Sequence, residues 1–183
     1  MTGWIILGIV ALAVLWGIVT FNRFVLRRNR VLEGWSSIDV QLKRRHNLIP
    51  NLVDTIKGYT QHEERVLSKV TELRTRAEES GTTKDRASRE SALSKMLGSV
   101  FALAEAYPEL KANDNFINLQ ENLNEIEEQI QFARRYYNGT VRDMNVSVAS
   151  FPSNLIARIF GFAEAEYFEI DLATQRDVPE VNF

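Results

Sequence analysis

The sequence predicts an all-α protein in which an N-terminal transmembrane helix continues into an antiparallel bundle of three long helices plus a short fourth, of the four-helix up-and-down type. Three observations predict it. Residues 4–21 (WIILGIVALAVLWGIVTF) form an uncharged apolar run. Beyond them, apolar residues recur at steps of three and four along almost the whole chain, the period of a helix with one buried stripe. Glycine and proline, nine and four of 183 residues, are too scarce to punctuate many short elements, and no useful length of strand-like alternation occurs.

The apolar run comes first. About 18 residues at 1.5 Å each give roughly 27 Å of helix, close to the hydrocarbon thickness of a bilayer. Arg23, Arg27, Arg28 and Arg30 follow at once, whereas Met1-Thr2-Gly3 adds no basic side chain before the run. An arginine excess on one side marks that side as cytoplasmic and offers contacts to anionic headgroups. A cleaved signal peptide would need a basic start and a small-residue cleavage site, and Asn22-Arg23-Phe24 is a poor one. The expectation is a single-pass anchor, with the residues before Trp4 outside and the body held at the inner face of a membrane. Trp4 suits a headgroup layer, and Ala13 and Gly17, four apart, would let a second helix approach closely. The division expected is an anchor over 1–22, a helical body over 23–170 and an extended or flexible tail over 171–183.

The first helix of the body carries a heptad seam through Phe24, Val31, Trp35, Ile38, Leu42, Arg45, Ile49, Leu52 and Ile56, in phase onward to Val66, Val70, Leu73 and Ala77. That register reads as one long helix to about Glu79, kinked near Asn47 to Pro50, with a second interruption near Gly58 to His62. A true break at Pro50 is the alternative, because proline removes a helical hydrogen bond. Ser80-Gly81-Thr82-Thr83 is a loop with cap-prone residues. A second helix spans 84–111, striped by Leu93, Met96, Val100, Leu103, Tyr107 and Leu110, with Pro108 setting off its last turn. After the turn at 112–115, the third helix runs through Phe116, Leu119, Leu123, Ile126, Ile130, Ala133, Tyr137 and Met144 and stops before Phe151-Pro152. A short amphipathic segment, Ser153–Phe160, closes at Gly161. The first helix outruns its partners, so its excess either projects toward the membrane or packs against another copy.

Composition narrows the function. The formal charge of −2 includes the four arginines after the apolar run, so the body is net acidic and unsuited to nucleic acid as a main partner. Cysteine is absent, which removes disulfides, thiol nucleophiles and thiolate metal sites. His62-Glu63-Glu64-Arg65-Val66 starts like a zinc-protease helix but has Val66 where the second histidine belongs. Neither His46 nor His62 has a glutamate three residues before it, as a di-iron bundle requires. No phosphate-binding glycine loop or nucleophile elbow occurs, and Glu121, Glu125, Glu127 and Glu128 read as a solvated face. The sequence therefore predicts no catalytic residues, no cofactor or metal and no small-molecule substrate. Lys43-Arg44-Arg45 and Arg134-Arg135-Tyr136-Tyr137 are expected to pair with Asp39, Glu63 or the acidic face of the third helix, or else to meet lipid or another subunit. Arg45 stands on the seam itself, where a buried charge needs a partner. The large apolar groups from Phe151 to Phe162 close the end of the core or form a patch for a subunit or the membrane. Trp35, Arg45, Phe151 and Phe160 are the candidate assembly residues.

Several of these stretches occur together in one family. Trp35-Ser36-Ser37-Ile38-Asp39-Val40-Gln41-Leu42-Lys43-Arg44-Arg45 and Leu48-Ile49-Pro50-Asn51-Leu52-Val53 resemble the signature of the bacterial LemA family. Pro108-Glu109-Leu110-Lys111-Ala112-Asn113, Ala133-Arg134-Arg135-Tyr136-Tyr137-Asn138 and Phe151-Pro152-Ser153-Asn154-Leu155-Ile156-Ala157 resemble its later blocks in order. The resemblance implies an N-terminal anchor, a cytoplasmic helical bundle and no established enzyme activity, and it extends to a magnetosome membrane protein. Gly34 before the tryptophan and Met144 depart from the pattern. The function expected is a non-enzymatic, membrane-anchored homo-oligomeric scaffold that organises a membrane's cytoplasmic face. The alternative is an adaptor that recruits a cytoplasmic protein or relays a membrane signal.

Overall fold

The computed structural model describes residues 1–59, 63–79 and 81–169. These form six helices: α1 (Thr2–Lys57), α2 (Glu64–Glu78), α3 (Thr83–Ala104), α4 (Pro108–Lys111), α5 (Asp114–Ala149) and α6 (Ser153–Phe160). The described residues contain no strand, and the all-α class holds. His62 and the tail over 171–183 lie outside the described residues.

The long first helix of the sequence reading is two helices. It passes Pro50 unbroken, ends at Lys57, and resumes as α2 after the second interruption, at Gly58. Pro50 is tolerated for a specific reason. Its missing N–H would have bonded the carbonyl of His46, four residues earlier. That carbonyl instead accepts a hydrogen bond of 2.9 Å from Nε of Arg74, on α2. The chain reverses between α1 and α2, because His46 and Arg74 stand about equally far before and after the turn and can meet only in an antiparallel pair. Periodicity hid this reversal, since a heptad register that resumes in phase looks the same in one helix or in two.

The contacts divide the chain into two compact units. One comprises residues 41–129 and 168–183, and among its described residues the end of α1, α2, α3 and the start of α5 run up, down, up and down. Its core joins Ile49, Leu52 and Ile56 to Leu67 and Val70, Leu93, Leu97 and Val100, and Phe116 and Leu123. The hydroxyl of Thr82 accepts from the amide of Asp85 while the Asp85 carboxylate accepts from the Thr82 amide, a reciprocal cap that starts α3. Asn113 Oδ1 accepts from the amide of Phe116 at the head of α5. As expected at Pro108, the turn after α3 is a separate short helix, α4.

The other unit comprises residues 1–40 and 130–167. Here α5 runs antiparallel to α1, with Tyr137 beside Gly34 and Trp35 and Met144 beside Phe24. Gly34 permits this approach: a Cβ there would lie 3.1 Å from the backbone Cα of Tyr137. Helix α6 then folds back onto α1, placing Ile156 and Ala157 with Phe24, Val31 and Phe162. The chain returns along α5, held by Tyr137 Oη donating to the carbonyl of Glu166 and by two hydrogen bonds between Asn145 and Ala165. The seam from Phe24 to Ile56 is therefore covered within the chain, and the excess length of α1 is the apolar stretch before it.

Candidate membrane interface

The first nineteen residues of α1 present apolar side chains on every side and bury almost none of them. Exposure of the large ones runs from 41% at Trp16 to 80% at Trp4. No eighteen-residue stretch elsewhere among the described residues is both long and apolar enough to cross a membrane. A helix that is apolar all round and unpartnered by protein is stable only where its surroundings are apolar too. Burial starts at Thr20 and, one turn on, at Phe24, which packs with Met144 of α5 and Ala157 of α6.

The charged belt begins where the apolar run ends. Arg23, Arg28 and Arg30 are exposed and Arg27 is half-buried. On the same unit α5 contributes further arginines. Arg27 and Arg30 line a cleft of about 490 Å³ with Arg135, Tyr136 and Arg142. Arg134, Arg135, Asn138 and Tyr167 line a second of about 370 Å³. The Arg135 guanidinium lies 4.5 Å over the ring of Phe132, and Arg142 is 4.0 Å from the carboxylate of Asp143. These surfaces concentrate positive charge suited to phosphate or carboxylate groups.

Of the two small residues in the apolar run, Ala13 is exposed and Gly17 lies against α6, where an added methyl would sit 3.7 Å from Ile156 Cδ1. The helix that Gly17 admits within the chain is α6. Trp35 is half-buried with its ring 5.7 Å from that of Tyr137. The segment after Phe151 divides by face: Ile156, Ala157 and Phe162 turn inward, while Phe151, Leu155, Ile159 and Phe160 stay exposed. Phe160 also meets Phe21, ring centroids 4.7 Å apart, and Phe162 stacks on Phe24 at 4.8 Å.

Arg45 belongs to the other unit and is 2% exposed. Its Nη1 donates to Ser94 Oγ at 2.5 Å and to Glu127 Oε2 at 2.7 Å, and its Nη2 pairs with the carboxylate of Glu90. Glu127 lies on the acidic face the sequence pointed to, whereas Glu90 is new. Glu63 instead accepts a hydrogen bond from Tyr107. His46, also buried, places Nε2 3.1 and 3.2 Å from the two Glu90 oxygens, and its Nδ1 lies 3.7 Å from Glu78. A carboxylate only accepts, so Nε2 carries the hydrogen toward Glu90. Burial pushes the Glu90 carboxyl up, but the hydrogen bond from His46 and the charge of Arg45 outweigh it, holding the group below its ordinary range. The cluster ties α1, α3 and α5 together through charges that satisfy one another. Among the described residues, no group of three or more His, Asp and Glu side chains is placed to hold a metal ion. Glu90 stands three residues before Leu93, in register with the stripe of α3, which is the signal that could have found it. His46 is adjacent to the seam but had no such mark.

The helical fold and the unburied apolar segment of α1 define an all-α, membrane-associated protein. The LemA family model matches residues 34–183, and the chain belongs to that family. It is 26% identical over 178 residues to the magnetosome protein MamQ 2 of Paramagnetospirillum magneticum, covering 83% of this chain and 65% of that one. It is 23% identical over 177 residues to the magnetosome protein MamQ of Magnetospirillum gryphiswaldense, with coverage of 82% and 65%. Protein LemA of Metamycoplasma hominis is 25% identical over 167 residues, with coverage of 85% and 75%. The chain thus spans just under two thirds of the length of the magnetosome relatives it matches.

Proposed function

We propose that the protein is a non-enzymatic, single-pass scaffold that self-associates and organises the cytoplasmic face of a bacterial membrane. In this reading the residues before Trp4 lie outside and the helical body lies inside, on the arginine side of the apolar run. The observation that carries the proposal is the unbroken course of α1 from the lipid-suited stretch into the unit built on Phe24, Gly34 and Trp35. An orientation set in the bilayer passes into that unit without a linker. The family relatives named as magnetosome proteins favour a role at an organised membrane. Exposed Leu26, Leu32 and Val146 on the same unit provide apolar surface for a second copy. Native mass measurement of the detergent-solubilised chain should give a multiple of the 21.0 kDa protomer. A clean monomer across detergents rules self-association out.

The arginine-lined clefts favour a second reading, an adaptor that holds an acidic segment of a cytoplasmic protein. Stoichiometric heterologous subunits on purification from membranes would support it over the scaffold.

A further inference from the structure

We propose that α6, with the preceding Phe151, is a second membrane-contacting element, seated in the boundary between headgroups and acyl chains beside the anchor. The proposal rests on the reading that residues 4–21 cross a bilayer. Its basis is where α6 meets α1. Ile156 faces Gly17 and Phe160 faces Phe21, both within the apolar run and before the first arginine. Gly17 lies four residues inside Phe21, so at 1.5 Å per residue α6 reaches roughly 6 Å below the level where the apolar run ends. That is within the depth, about 5–10 Å, to which an interfacial helix buries its apolar side chains.

The surface of α6 fits that position. Its inner face is satisfied by protein, through Ile156 and Ala157. Its outer face is apolar as well: Phe151 is 80% exposed, Ile159 72%, and Leu155 and Phe160 about half. Leu155 and Ile159 are four apart on α6 and form one stripe, with Phe151 exposed in the turn before it. A buried inner face and a bare apolar outer face on one two-turn helix cannot both be satisfied in water. Exposed Arg158 flanks the stripe and can reach a phosphate while its stem lies along acyl chains. The occupant of this face is lipid, because the apolar surface is continuous at Phe21 with that of the anchor.

The chain contains no cysteine, so a single introduced thiol can carry a fluorophore. The full-length protein is reconstituted into phosphatidylcholine–phosphatidylglycerol vesicles with nitroxide quenchers placed either near the headgroup or deep in the acyl chain. Labels at Leu155→Cys and Ile159→Cys lose fluorescence to the shallow quencher, Val10→Cys loses it to the deep one, and Glu33→Cys loses it to neither. These positions are all exposed, and retained helicity confirms that each variant folds. If Val10→Cys is quenched while either α6 label is not, the seating of α6 is overturned and the anchor stands. If Val10→Cys is not quenched, the membrane reading fails and this proposal fails with it.

Discussion

Arg45 and Glu90 show how a charged pair is fixed inside a helical bundle by partners on three helices. Both are at most 2% exposed, so removing one strips the other of its buried counter-charge, leaving Glu90 with His46 and Arg45 with Ser94 and the partly exposed Glu127. Arg45→Met is expected to cost about 3–5 kcal/mol in denaturant unfolding, and Arg45→Glu at least as much. Adding Glu90→Leu to Arg45→Met should recover most of the loss, since a packed apolar pair needs no counter-charge. An Arg45→Met protein that melts like the parent would contradict the burial of this pair. The depressed Glu90 carboxyl also gives a pH dependence. Because its folded value lies below its unfolded one, the stability it contributes is complete above the ordinary carboxylate range and is lost as pH falls through the depressed value. Urea midpoints followed from about pH 7 to about pH 3 should fall less steeply in Glu90→Gln than in the parent. Parallel slopes would assign the acid sensitivity to other groups. Arg45 was legible in the sequence because a charge interrupted an apolar seam. Glu90 carried a fainter mark, its place three residues before Leu93 in register with the α3 stripe, and only the placement of Arg45 shows why a charge stands there.

Among the elements, α1 and α6 separate what periodicity can and cannot say. Pro50 left a break open as the alternative to a continuing helix, and the residue that satisfies the carbonyl freed there, Arg74, lies on another helix. No local reading of α1 could supply that donor. Arg74→Met should therefore destabilise by about 1–3 kcal/mol, the cost of leaving a buried carbonyl without its bond, beyond the small effect of the exposed-side ion pair to Glu78. Two glycines offer a contrast. Gly98 lies inside α3 with nothing within 4 Å of an added methyl, so Gly98→Ala should stabilise by about 0.5–1 kcal/mol through helix propensity. Gly34→Ala should bring no such gain, because its methyl meets the backbone of Tyr137. Thermal unfolding of the two variants side by side decides this, and equal gains would mean that α1 and α5 are not in close contact at Gly34. The clustering of large apolar residues after Phe151 was visible in the sequence, but its division between an inner and an outer face was not. Both faces of α6 are apolar, and only the fold shows which one α1 covers.

For the whole chain, the sequence expectation of an all-helical protein with an apolar N-terminal helix agrees with the structure because both signals are local and long. The partition of contacts into two units was not legible. α1 and α5 run through both units, so neither a linker nor a shift in composition marks the boundary. The proposed membrane segment accounts for features that would be liabilities in a water-soluble chain: unburied tryptophans and leucines on α1, an arginine belt directly after them, and an aromatic cluster of Phe21, Phe24, Phe160 and Phe162 at the junction. The central claim is that α1 crosses the bilayer once and carries the body on its arginine side. Thiol accessibility in bacterial cells tests it most directly, with single cysteines introduced at Thr2 and Glu33 and an impermeant reagent applied before and after permeabilisation. The account predicts that Thr2→Cys is labelled in intact cells and Glu33→Cys only after permeabilisation. Labelling of Glu33→Cys in intact cells, or protection of both until the membrane is opened, would contradict it.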